Sequence, residues 1–185
     1  MCSSDLMPQD VELFAGTVAD NISRMRVVDP QQVVAAAQQA GVHEMILALP
    51  NGYDTLVDVN SAVLSPGQRQ RIALARALYG QPRLVVLDEP NANLDGAGEQ
   101  ALAETIRQLR GKATVVVVTH RPSLTQHTQK MLVIEGGRQT HFGRTEEVVA
   151  ALRAAVATPD GQVVPMNRGP QSSRAASGPH TTGTA

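Results

Sequence analysis

The sequence predicts an α/β fold in which helices pack on a parallel sheet. Residues 84–87 and 115–118 are continuous aliphatic runs, which is typical of strands covered on both faces. Between them, residues 99–109 place apolar side chains at helical spacing, and Gly111 follows as a natural stop. A helix that joins two strands in this way forms a crossover between parallel strands. We therefore expect both strands to be parallel and central in the sheet.

The first half of the chain is expected to be mainly helical. Three helices are predicted there, at residues 17–22, 33–40 and 42–49. The second has clear boundaries, because Asp29 can cap its amino end, Pro30 fits a first helical position and Gly41 can end it. These signals place a helical segment ahead of the two strands.

The last third of the chain is expected to contain a hairpin, a helix and a tail. A hairpin is predicted from residues 131–135 and 138–142, because Gly136 and Gly137 between them can supply the positive φ of a tight turn. A final helix is expected at residues 146–156. Residues 158–185 are rich in Gly, Pro, Ser and Thr and cannot bury enough apolar surface to offset chain entropy. We expect this tail to be disordered.

Composition excludes several classes of protein. The 185 residues carry 16 Lys and Arg against 17 Asp and Glu, and 2% are aromatic. Without a basic surface or exposed rings, the chain is not expected to bind nucleic acid. A single cysteine, Cys2, cannot form an internal disulfide, which favours a reducing compartment. No apolar stretch approaches the roughly 18 residues that a membrane span needs, and residues 1–10 lack a signal peptide, so we expect a soluble chain.

A helix start with an unusual set of residues occupies positions 64–68. Ser65 can cap the helix, Pro66 fits its first position and Gln68 can close a capping box, and the helix should run to about residue 79. Its amino end would present backbone N–H groups and the positive end of the helix dipole, while Gly67 would let an anion approach closely. The segment is a candidate phosphate-binding site. The alternative is a well-capped structural helix, since caps are commoner than anion sites.

Polar residues follow the two predicted strands directly. Asp88 and Glu89 end the first strand, and Thr119 and His120 follow the second. In open α/β sheets, ligands bind at the carboxyl ends of the strands. One carboxylate could hold Mg²⁺ through water while the other orients a nucleophilic water. The alternatives are a solvated acidic turn and a structural histidine, which is the commoner role of a lone histidine.

These motifs occur in the same order as in the nucleotide-binding domain of ATP-binding cassette (ABC) transporters, which the chain resembles over roughly residues 8–152. The matching segments are Leu64 to Gln68, an Arg-rich helix, Asp88-Glu89-Pro90, Asn93-Leu94-Asp95 and Thr119-His120. The resemblance implies a partial P-loop NTPase fold with a parallel sheet core and a helical subdomain. Residues 1–157 would then form the folded part, with the helical subdomain at about 14–80 and the catalytic sheet part at about 81–157.

The resemblance also implies how ATP and Mg²⁺ would be bound. Asp88 would end the Walker B strand and bind Mg²⁺, and Glu89 would be the catalytic carboxylate. His120 would be the switch histidine that senses the γ-phosphate. Gln9 looks like the Q-loop glutamine, which reaches Mg²⁺ and the attacking water.

A dimer is implied as well. The segment Leu64, Ser65, Pro66, Gly67 and Gln68 would be the signature motif, which contacts the γ-phosphate of ATP held mainly by the opposite protomer, and Asp95 would belong to the D-loop. Residues 8–14, 64–79 and 88–95 resemble the ATPase of type I protein secretion exporters. Such exporters are homodimers at the cytoplasmic face of the inner membrane, with six membrane helices ahead of this domain, a periplasmic adaptor and an outer-membrane channel.

The sequence departs from the family in four respects. No Gly-x-x-x-x-Gly-Lys-[Ser/Thr] loop occurs in the 185 residues, and Met1 to Leu6 does not resemble the strand that precedes the Q-loop. We therefore expect the carboxyl portion of a longer protein, which alone binds ATP weakly and is inactive. Pro66 replaces the commoner glycine of the signature, and residues 57–60 stand where exporters have a Gly/Glu-rich segment.

Other interpretations remain open. A non-catalytic truncated cassette could act only as a docking module, and a lipid or drug exporter would share the same motifs. Chromosome-maintenance ATPases also carry the signature, but they need long heptad repeats and a basic surface, which this sequence lacks. The transported substrate is not encoded in the motor domain.

Overall fold

Short strands alternate with helices in residues 4–57 and 63–157, which the computed structural model describes. The strands are β1 (Ser4–Met7), β2 (Gly16–Thr17), β3 (Leu56–Val57), β4 (Leu84–Asp88), β5 (Thr114–Val118), β6 (Lys130–Glu135) and β7 (Arg138–Arg144). The helices are α1 (Val18–Ile22), α2 (Pro30–Gln39), α3 (His43–Leu47), α4 (Pro66–Leu78), α5 (Gly96–Leu109), α6 (Pro122–Thr125) and α7 (Thr145–Ala157), with a 3-10 helix at Gly52–Asp54. Cys2, residues 58–60 and the tail predicted at 158–185 lie outside the described residues.

The main sheet has three parallel strands in the order β1-β4-β5. Met7 is paired with Leu87, and Leu87 is paired with Val117, so the three carboxyl ends meet at one edge. The crossover prediction is confirmed, because α5 joins the parallel strands β4 and β5. Its start lies three residues before the predicted one, since the Asp95 side chain accepts a hydrogen bond from the Gly98 N–H and caps the helix.

Two expectations about the strands were wrong. Within the described residues β5 is an edge strand, and it is covered less than predicted, with Val116 44% and Val118 51% exposed. The first residues, which do not resemble a strand, form β1 beside β4. This strand buries Met7, and its Asp5 forms an ion pair with Arg24 far along the chain. Both are tertiary effects that a local pattern cannot reveal.

The remaining predicted elements agree with the structure to within a few residues. α2 is capped by Asp29, whose Oδ1 accepts hydrogen bonds from the N–H groups of Gln31 and Gln32. α4 ends at Leu78, close to the expected residue 79. The hairpin β6-β7 forms as predicted. The short antiparallel ribbon β2-β3 was not predicted.

The core lies where α4 meets the main sheet and the small helices before it. Ile72 and Leu78 of α4, Val85 and Leu87 of β4, and Ile22 of α1 are each at most 1% exposed. Burying one such side chain contributes about 1.5–3 kcal/mol. α4 is therefore fixed against β1 on one side and against α1 and α2 on the other. No helix in the described part of the chain is both long and apolar enough to cross a bilayer.

Candidate functional site

Polar residues from three adjacent strands meet at the carboxyl edge of the main sheet. Gln9 lies two residues beyond β1 with an exposed side chain. Asp88 is the last residue of β4, opposite Val118, and is partly buried. His120 lies two residues beyond β5. The structure thus brings the predicted catalytic and metal-binding residues to one edge, while their roles stay predictions.

Glu89 and His120 are in direct contact. The Nδ1 atom of His120 lies 2.7 Å from Oε1 of Glu89, and the His120 backbone N–H donates to the same oxygen at 3.0 Å. The Thr119 hydroxyl donates to Oε2 at 3.3 Å. The Glu89 side chain is 13% exposed and that of His120 is 79% exposed. A largely buried carboxylate is therefore held by a histidine that faces solvent.

These contacts set the charge of Glu89. Burial raises the pKa of the Glu89 carboxyl, but the hydrogen bonds from the His120 ring and backbone, with that from Thr119, outweigh it and lower the pKa below its ordinary value. Glu89 is thus ionised near neutral pH. Because an ionised carboxylate can only accept hydrogen bonds, Nδ1 of His120 carries the proton in this contact.

The backbone of Glu89 adopts an unusual conformation. Its φ is +43°, in the left-handed region that non-glycine residues rarely occupy, at a cost of about 1–3 kcal/mol. Three hydrogen bonds hold it there: its N–H donates to the Val118 carbonyl at 2.9 Å, and its carbonyl accepts from the Ala92 N–H at 3.1 Å and from Nε2 of Gln70 at 3.2 Å. The strain is offset by neighbours on both β5 and α4.

The tip of α4 is built as predicted. The Ser65 hydroxyl accepts from the Gln68 N–H at 3.2 Å, and Oε1 of Gln68 accepts from the Ser65 N–H at 2.8 Å, which completes the capping box. Leu64 is buried and anchors the tip, whereas Ser65 is exposed. The tip nevertheless offers fewer donors than expected. Pro66 has no N–H, and the Gln68 N–H is used in the capping box. Among the described residues of this first turn, only Gly67 keeps a free backbone N–H.

An open groove lies between this tip and the segment after β4. It has a volume of about 370 Å³ and is lined by Ser65, Pro66, Gly67, Arg71, Asn93 and Asp95. Gly67 is required here for close approach, because a Cβ atom at position 67 would lie 2.7 Å from the Asn93 carbonyl oxygen. The predicted signature and D-loop residues therefore form one surface of this chain.

Asp95 has a structural role that sequence reasoning did not assign. Its Oδ1 accepts from the Gly98 N–H at 2.7 Å and lies 3.8 Å from Nη2 of Arg71. Sequence reasoning also missed Gln70 and Asn91, which are almost fully buried beside the site. A polar residue at a helical position in register with buried Ala73 and Ala77 is the signal that could have revealed Gln70.

Comparison with known proteins assigns the family. Residues 3–92 match the ABC transporter family model. The chain forms part of an ABC exporter ATP-binding domain. It is similar to the type I secretion system ATP-binding protein PrsD of Rhizobium meliloti (strain 1021), with 54% identity over 145 residues. The predicted family and its type I secretion relationship are confirmed.

Other relatives agree. The cyclolysin secretion/processing ATP-binding protein CyaB of Bordetella pertussis (strain Tohama I) is 41% identical over 144 residues, covering 77% of this chain and 20% of CyaB. A solved structure of a bacterial Atm1-family ABC exporter with ATP bound matches 87% of this chain and 29% of that chain, with a TM-score of 0.74 and 31% identity. The PrsD match covers 77% of this chain and 25% of PrsD, so the chain spans about a quarter of that relative.

Proposed function

We propose that the chain is the part of an ABC exporter motor that supplies the catalytic carboxylate and the signature surface for ATP hydrolysis. The exporter would be of the type I protein secretion class. The observation that supports this most is the contact between the ionised Glu89 carboxylate and the exposed His120 ring at the strand edge. The partners would be a second copy of the domain, a membrane domain, a periplasmic adaptor and an outer-membrane channel, with the domain at the cytoplasmic face of the inner membrane.

Glu89 would act as the general base that orients the attacking water. A carboxylate has about four lone-pair sites. His120 occupies two on Oε1 and Thr119 occupies one on Oε2, so one site on Oε2 is left to accept a proton from water. The neighbouring His120 ring would then sense the γ-phosphate. General base catalysis of this kind typically contributes about 10²–10⁴-fold in rate.

Mg²⁺ fits the residues at this edge when a nucleotide supplies further ligands. The described residues hold no cluster of three His, Cys, Asp or Glu side chains that could bind a metal. Mg²⁺ in nucleotide sites commonly takes one or two protein oxygens together with phosphate oxygens and water. The carboxylate of Asp88 and the amide oxygen of Gln9 are such ligands. The ion would neutralise charge on the phosphate groups.

The groove beside the tip of α4 would serve a second nucleotide. The free Gly67 N–H, the exposed Ser65 hydroxyl and the α4 dipole can bind the γ-phosphate of ATP held by the partner protomer. The D-loop residue Asp95 would line the same groove.

The experiment uses a chimera of PrsD in which the aligned 145-residue segment is replaced by that of this chain. We expect ATP hydrolysis in the chimera and a loss of at least about 100-fold in Glu89→Gln, with ATP retained. Glu104→Gln is the matched control, because Glu104 lies exposed on α5 and contacts Arg107 and Gln108. An ordinary rate in the Glu89→Gln chimera would refute the assignment of the base.

A docking module is the second candidate function, and the open groove lined by Ser65, Pro66, Gly67, Arg71, Asn93 and Asp95 favours it. Such a module would offer its signature face to a complete cassette without turning over ATP. The isolated chain added to intact PrsD would then inhibit ATP hydrolysis in proportion to its concentration, and the chimera would be inactive. An active chimera together with no inhibition would reject this candidate.

A further inference from the structure

Gln70 bridges two elements that the proposed reaction uses. It lies in the second turn of α4, is 1% exposed, and has both ends of its amide engaged. Its Nε2 donates to the Glu89 carbonyl at 3.2 Å, and its Oε1 accepts from the Asn93 N–H at 2.9 Å. One buried side chain is therefore hydrogen-bonded to both ends of the turn that follows β4, at Glu89 and at Asn93.

The position is unusual for a polar residue. Gln70 lies on the same helix face as Ala73, Leu74 and Ala77, all of which are buried. A buried amide is unfavourable unless its polar atoms are paired. Here Nε2 and Oε1 each have a partner, and both partners are backbone groups of the turn. The amide therefore has a role that an aliphatic side chain of similar size could not take.

The turn that Gln70 binds contains Glu89, the residue of the site with a strained backbone. Glu89 has a positive φ and aims its carboxylate at His120, so a small rotation of its backbone would move the carboxylate away. At the other end of the turn, Asn93 packs against Gly67 at the tip of α4. Gln70 thus connects the tip of α4 to the carboxylate within one chain.

We propose that Gln70 is a positioning residue that fixes the Glu89 carboxylate against His120 and makes the turn move together with the tip of α4. Its link to catalysis rests on the proposed function. In a dimer the α4 tip would serve the nucleotide held by the partner, and Glu89 would serve the nucleotide of its own protomer. Gln70 would therefore couple the two nucleotide sites through the interior of each subunit.

The first test needs no nucleotide and uses the 185-residue chain. In ¹⁵N NMR spectra at about pH 8, where imidazole is ordinarily neutral, we expect His120 to show a protonated Nδ1 bonded to the carboxylate. Gln70→Met removes both hydrogen bonds while keeping an unbranched side chain, and it should abolish this Nδ1 signature. Thr105→Val is the matched control, since Thr105 is also 1% exposed and its hydroxyl donates to the Gln39 and Ala101 carbonyls away from the site. The control should keep the signature even if it unfolds at a lower temperature.

A second measurement covers the case in which the variant does not fold. In the unmodified chain, the Asn93 amide should exchange with solvent at least tenfold more slowly than an unbonded amide, because Gln70 accepts its proton. Unprotected exchange of the Asn93 amide would overturn the proposal. So would an unchanged Nδ1 signature of His120 in Gln70→Met.

The third test uses the PrsD chimera and separates this inference from the proposed function. Gln70→Met should lower kcat at least tenfold and change the KM for ATP less than twofold, while Thr105→Val should leave both unchanged. An unaltered kcat would overturn the positioning role. A chimera that is inactive without any substitution would refute the proposed function instead, and the NMR result would then still decide whether Gln70 fixes the Glu89 contact.

Discussion

Replacing Gly67 by alanine tests how tightly the α4 tip and the turn after β4 fit together. The new Cβ would lie 2.7 Å from the Asn93 carbonyl oxygen, which is backbone and is held in place by Gln70. Overpacking of this kind typically costs about 1–3 kcal/mol. Against it, alanine is favoured over glycine within a helix by about 0.8–1.0 kcal/mol. We therefore expect Gly67→Ala to lie between neutral and about 2 kcal/mol less stable than the parent.

Gly96→Ala is the matched control for this substitution. Gly96 also lies in the first turn of a helix, and a Cβ there would meet no atom within 4 Å. Both variants gain helix preference, so the difference between their free energies of unfolding isolates the clash, which should be about 1–3 kcal/mol. Urea unfolding followed by circular dichroism measures both. If Gly67→Ala were as stable as Gly96→Ala, the close packing of the turn on α4 would be refuted.

Three further predictions concern charge and nucleotide binding. The pKa of Glu104, which its hydrogen bonds from Arg107 and Gln108 lower to about 2, should rise in Arg107→Ala when carboxyl carbons are titrated by NMR, and an unchanged value would contradict the pair. The pKa of Glu89 is lower in the folded than in the unfolded chain, so its contacts stabilise the fold above pH 4.5, the ordinary pKa, and this stabilisation is lost as pH falls through the folded pKa. His120→Ala should raise the Glu89 pKa and make the free energy of unfolding less sensitive to acid. An unchanged titration of Glu89 in this variant would contradict the prediction. Calorimetric titration of the chain alone with MgATP should give an affinity weaker than about 1 μM, or −8.2 kcal/mol, and tighter binding would contradict the importance of the absent phosphate loop.

The elements that the sequence predicted well are those defined by local chemistry. α2 and α4 have capping residues within three positions of their first turn, and β4 has a short aliphatic run next to a turn. β1 was missed, because its formation depends on the burial of Met7 against β4 and on an ion pair between Asp5 and Arg24. The exposure of β5 was missed for a similar reason. A run of valines has the same pattern whether its face is covered or not.

In the site, too, some features follow from local sequence and others depend on tertiary packing. The approach of Glu89 to His120 follows from two parallel strands that end side by side, and the sequence contained that information. The helical pattern could have marked Gln70 as buried, but its partners depend on where α4 packs, which no local pattern specifies. The cap that Asp95 provides for α5 was in principle visible, because an aspartate followed by a helix is a common start signal. The resemblance to a D-loop implied a different role for Asp95.

The donors left at the α4 tip limit what this chain can contribute to phosphate binding. A helix amino end carries about half an elementary charge, expressed through its free N–H groups. Pro66 removes one donor and the capping box of Ser65 and Gln68 occupies another, which leaves the Gly67 N–H and the Ser65 hydroxyl for an anion. Two donors on a solvent-exposed tip can orient a γ-phosphate but cannot hold a triphosphate on their own. Under the proposed function, the nucleotide would therefore be held mainly by groups outside this surface, and the surface itself would recognise a phosphate that another subunit presents.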